Sequence, residues 1–180
     1  MNSLHALYHY EAGNHPLPHN PLEIEAALKA GQHSWQVCPY YNLRYSQRGE
    51  RFTRSDSGYL VTLVQENFEI VIEKVSWLGN VLANRGMPTW LLEQHLRILY
   101  KELCAVLPEN QHLYEKLLLS ADVLTKNRIA KISDEKTIEL ITDFQKLVAA
   151  EDWAMKLPEA GMLVVSAVAD EANDLTSSPP

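Results

Sequence analysis

From Ser55 onward the apolar residues of the chain recur at steps of three and four. That spacing puts them on one face of a helix with 3.6 residues per turn. Ser55-Asp56-Ser57 offers an N-cap for a segment through about Val64. A long helix is predicted over about Glu66–Asn84, with Phe68, Val71, Ile72, Val75, Leu78 and Leu82 on its stripe. Arg85-Gly86-Met87-Pro88 then stops one helix and starts another, glycine closing the first and proline sitting in the first turn of the second. The second carries Trp90, Leu92, Leu96, Leu99 and Leu103 and is bounded by Pro108. A further helix covers about Glu109–Lys126, with Leu113, Leu117, Ala121 and Leu124. Ser133 or Asp134 caps another, to about Met155, with Ile138, Ile141, Phe144 and Val148 inward. The last spans about Glu159–Asp174 and carries Met162, Val165 and Ala169. Trp77, Trp90 and Trp153 fall in these periodic helices and are expected in the core; Trp35 lies in a less regular stretch.

The first third is less periodic. Ser3–Glu11 predicts one or two helical turns, followed by an extended segment containing Pro16, Pro18 and Pro21. Pro21–Gly31 reads as a short helix with proline at its start and glycine at its end. Another is predicted from near Pro39 to near Gly49. Gly161–Ser166 is the one strand-like run, and it has no strand partner. The fold class predicted is therefore all-α: a single-domain antiparallel bundle of about six to eight helices. The domain reading is an irregular segment over 1–21, the bundle over 22–175, and a disordered tail over 176–180.

Composition narrows the classes of function. The chain has 180 residues and a formal net charge of −7. That length can bury a sizeable core. The acidity argues against general nucleic-acid binding, which leaves a basic stripe. No apolar run approaches the roughly 20 residues a membrane span needs, and the N-terminus does not read as a secretory signal. Two cysteines in 180 residues form no disulfide framework, so a cytoplasmic location is expected. From Glu159 onward the net charge is −4. This excludes a basic membrane-surface helix there and leaves either closure of the bundle, which is preferred, or docking in a partner's groove.

One segment opposes the overall charge. Residues 38–57 hold four basic and two acidic side chains, or +2, against 12 basic and 21 acidic elsewhere, or −9. On a helix, Tyr40, Tyr41, Arg44 and Arg48 share about a third of the circumference, and Arg51 and Arg54 follow. Guanidinium groups match anions and carboxylates bidentately. Arg44, Arg48 and Arg51 are therefore candidate anion ligands, with Tyr40 and Tyr41 giving flat contact area. The competing and preferred reading pairs these arginines with the bundle's own acidic helices. His95 is a further candidate, at the edge of an apolar stripe, where it could meet a ligand between helices or bind a haem iron. His5 and His9 share the i, i+4 spacing a metal can use, but no cysteine or carboxylate pattern completes a site. No metal or cofactor is assigned, and the N-terminus reads as polar and mobile. Neither HExxH, GxSxG, a P-loop nor GxGxxG is present, and no nucleophile stands beside a base, so an enzyme is not expected.

Two stretches, Tyr40–Phe52 with Ser55-Asp56 and Val75–Pro88, resemble known sequences. The second resembles helical segments of the WL-x-x-VLA-x-RG-x-P type in bacterial signalling proteins, where they lie beside small-molecule-sensing modules, including cobalamin-binding ones. The resemblance covers about residues 38–125; the cobalamin-ligating Asp-x-His-x-x-Gly motif is absent. It implies a bacterial sensory or regulatory module, and no residue role is carried over. The expectation is a non-enzymatic protein that binds a small anionic molecule or a protein partner, including a second copy. The alternative is a tetrapyrrole-binding sensor with His95 as axial ligand.

Overall fold

The computed structural model describes residues 6–12 and 15–175, and seven α-helices are bounded among them. They are α1 (Pro21–Val37), α2 (Pro39–Leu63), α3 (Phe68–Ala83), α4 (Thr89–Val106), α5 (Gln111–Ile129), α6 (Asp134–Val148) and α7 (Ala160–Ala172). Among the described residues there is no strand. No helix there is long and apolar enough to cross a membrane. Gly161–Ser166 lies within α7.

The helix starts follow side-chain capping. Asn20, Asn67 and Ser133 each accept a backbone N–H at the start of α1, α3 and α6, satisfying donors the first turn leaves free. Gly86 ends the α3 region at φ 78°, a left-handed conformation glycine adopts without a Cβ clash.

Several boundaries differ from expectation. α1 runs through Gly31 to Val37, because Ala30, Gly31 and Ser34 are buried and packing outweighs glycine's weak propensity. α2 does not stop at Gly49. It breaks at Ser46 (φ 49°, ψ −157°) and resumes to Leu63. A Cβ on Gly49 would clash with Tyr45 Cβ and lie 3.3 Å from the Trp35 ring, so glycine permits the break rather than ending the helix. Ser55 and Ser57 are consequently buried in mid-helix and cap nothing. α6 ends at Val148, short of Met155, and the chain folds back so that Phe144 and Trp153 meet with ring centroids 6.3 Å apart. Ile138 points outward, and Trp77 and Trp153 are 58% and 41% exposed rather than core residues. Trp77 lies off the stripe made by Val71, Val75, Leu78 and Leu82. Leu7 and His9 are buried against α2, Leu7 inside the main core, so the segment is not wholly a polar surface one. His5 and residues 176–180 lie outside the described residues.

α4 is the central helix, touching α1, α3, α5 and α7. Surrounded in this way, it buries polar positions as well as leucines: Glu93 reaches Arg128 of α5 at 3.5 Å, and both are buried. α7 is held by a polar stripe. The Asp170 carboxylate accepts the Thr89 N–H at 2.8 Å and the Thr89 hydroxyl at 2.5 Å. Ser166 Oγ accepts the Trp90 N–H, and Glu159 Oε1 accepts the Tyr40 N–H at 3.0 Å and the Cys38 thiol at 3.1 Å. At about 100° per residue, Glu159, Ser166 and Asp170 lie within roughly 40° of each other around the helix axis. One face of α7 thus caps the N-termini of both α2 and α4. Burial and the Glu159 carboxylate push the Cys38 thiol up to about 12, which leaves it a structural donor rather than a nucleophile.

Candidate functional site

α2 and α3 are consecutive, yet they make little direct contact. Between them lies a cavity of about 850 Å³ whose floor is α4. Tyr45, next to the break at Ser46, lines part of its wall. Gly49, Phe52, Thr53, Asp56 and Leu60 line one side. Their spacing is that of a single helix face. Trp77, Leu78, Val81 and Leu82 of α3 face them, and Tyr41 and Tyr59 add two more rings.

The rim is fixed by two tyrosines. Tyr45 donates its hydroxyl to the Arg85 carbonyl at 3.2 Å, and Tyr40 donates to the Gly86 carbonyl at 2.6 Å. The two stretches singled out in the sequence, 40–52 and 75–88, therefore meet in space. Tyr40 itself lines a smaller apolar cavity of about 380 Å³ beside Trp153 and α7.

The arginines separate. Arg48 lines the large cavity, but its Nε and Nη2 both donate to Glu11 Oε2, at 3.1 and 2.7 Å. Its guanidinium holds Glu11 below the usual carboxylate range. Arg54 pairs with Glu50 one turn away. Arg44 is exposed and lies over the Tyr45 ring at 5.6 Å. Arg51 is exposed and does not line the cavity. Of the six residues singled out in the sequence, Tyr41, Arg48 and His95 line this cavity, whereas Tyr40, Arg44 and Arg51 do not.

His95 sits on the floor. Its Nδ1 lies 2.8 Å from Ser34 Oγ and its Nε2 lies 3.0 Å from Ser57 Oγ. Burial pushes its pKa down to about 4, so the ring is neutral at neutral pH and carries one N–H. Both serine hydroxyls also reach backbone carbonyls, at Ala30 and Thr53. With a neutral ring, one nitrogen donates to its serine while the other serine must turn its hydrogen from its carbonyl to the ring. Ser34 and Ser57 are buried and do not line the cavity.

Sequence reasoning missed Asp56, taken there as part of a cap. Its carboxyl lines the cavity and has neither a hydrogen bond nor an ion pair among the described residues. Burial pushes its pKa up to about 7, and the Arg85 guanidinium acts in the opposite direction. An acidic residue within an otherwise apolar helical stripe was the available signal. Among the described residues no three His, Cys, Asp or Glu side chains are grouped to hold a metal ion.

No protein-family model, curated protein or solved structure matches this chain.

Proposed function

We propose that the protein is a non-enzymatic binding module for a small organic molecule, held in the cavity between α2 and α3. The observation that carries this reading is the cavity itself. Its size of about 850 Å³ and its aromatic and aliphatic lining with a few convergent polar groups are those of small-molecule sites. The resemblance of residues 38–125 to segments beside sensing modules agrees with it, and a regulatory role would follow if occupancy altered the α2 break. The tetrapyrrole alternative requires His95 to release the Ser57 or Ser34 hydroxyl before it could bind iron; a visible absorption band on the purified protein would favour it.

The test is binding of N-phenyl-1-naphthylamine, a neutral dye that fluoresces in apolar sites. The wild-type protein should bind it saturably, and Val81→Trp, which fills the cavity, should remove binding while leaving the melting temperature within a few degrees. Equal dye binding by both proteins would defeat the proposal.

A further inference from the structure

Resting on that reading of the cavity, we infer that its ligand is an organic cation, a protonated or quaternary amine on an apolar or aromatic body, held by the Asp56 carboxylate among the surrounding aromatic rings. The charges of the lining divide unequally. Arg48 is already paired with Glu11, and Arg85 is exposed at the rim. Asp56 is the carboxylate on the wall that has no hydrogen bond or ion pair within the described residues.

A carboxylate in such a place, with no hydrogen bond or ion pair and only the field of Arg85 to oppose its burial, is costly to the fold. An asparagine would fill the same space without the charge, so the charge has a use beyond packing. Phe52, Tyr59 and Trp77 line the same volume, and Phe52 already carries the Arg48 guanidinium 6.0 Å from its ring centre. A cation gains from ring faces as well as from the carboxylate. An anion would gain from neither and would meet the negative charge of Asp56. Burial that raises Asp56 to about 7 fits a carboxylate awaiting a counter-charge: a bound ammonium would draw the proton off and keep the pair ionised.

The experiment is calorimetric titration near pH 8, where Asp56 and the amine are both charged, using phenethylamine, the neutral 2-phenylethanol and the anionic 3-phenylpropanoate. The amine should bind about ten-fold more tightly than the alcohol. Asp56→Asn should erase that preference, so that the amine and the alcohol bind it equally. Tighter binding of the alcohol or the carboxylate, or a preference that survives in Asp56→Asn, overturns the assignment. So does dye binding with no amine binding, and that outcome leaves the cavity standing as a ligand site. Failure of the dye to bind removes the site and the assignment together. Asp56→Ala repeats the comparison if the asparagine variant does not fold.

Discussion

Replacing Asp170 with alanine should loosen α7 from the head of α4, and the size of the loss follows from the contacts. The carboxylate accepts the Thr89 N–H and the Thr89 hydroxyl inside the protein, 2% exposed. Hydrogen bonds to a charged group contribute about 1.5–3 kcal/mol each, and loss of a helix N-cap costs about 0.5–2 kcal/mol. These terms overlap. Against them stands the cost of burying the carboxylate, which shows as a pKa raised by burial and drawn partly back by Thr89. The net expectation is a loss of about 3 kcal/mol, or roughly 6–12 °C in melting temperature for a chain of this size. Asp170→Asn keeps an acceptor for the Thr89 N–H and should cost about 1 kcal/mol. Urea denaturation followed by tryptophan fluorescence reads both, with the m-value unchanged if the unfolded state is unaffected. A double-mutant cycle with Thr89→Val should give a coupling of about 1 kcal/mol or more. A loss below about 1 kcal/mol in Asp170→Ala, or no coupling, would refute the account of α7 as a cap supplied from another helix.

Further predictions follow from the cavity wall. Asp56 is raised from 3.8 to about 7 in the folded protein, so the folded state holds its proton more tightly and stability falls as pH rises from about 4 to about 7. Asp56→Asn should abolish that fall and be more stable than wild type near pH 8, by on the order of 2 kcal/mol after allowance for its partial exposure; melts across pH that match wild type would contradict it. His95 has the opposite sign: lowered from 6.5 to about 4, it makes stability fall as pH drops through that window. His95→Phe should remove this acid loss at a cost of about 1–2 kcal/mol near neutral pH, because Ser34 and Ser57 keep their backbone carbonyls; thermal melts below and above the window check it. Ser46→Gly should stabilise by about 1 kcal/mol by relieving the left-handed φ, whereas Gly49→Ala should cost several kcal/mol; chemical denaturation that ranks them in the reverse order would mean that α2 is straight.

The class of fold was legible in the chain because helix signals are local. A three-and-four periodicity, an asparagine or serine before a stripe, and Gly86 before Pro88 act through neighbours a few residues away. They located α3, α4, α5 and α7 to within a few residues. Arg48 pairs with Glu11 and Arg54 with Glu50, partners that lie in the N-terminal segment and in the arginine segment itself rather than on the other helices of the bundle. Periodicity tells which residues share a face, but not how many faces of a helix are covered. His95 was placed at a stripe's edge, yet it is buried, because α4 is covered by four other helices. Trp77 was assigned to the core, yet it stands at the cavity, because α2 and α3 splay apart. The break at Ser46, the closeness of Gly49 to Tyr45, and the meeting of Tyr40 and Tyr45 with the Arg85-Gly86 carbonyls depend on contacts between distant parts of the chain. So does the exposure of Asp56 to a cavity, since a hollow is defined by what several helices leave unfilled and no single stretch of sequence encodes it.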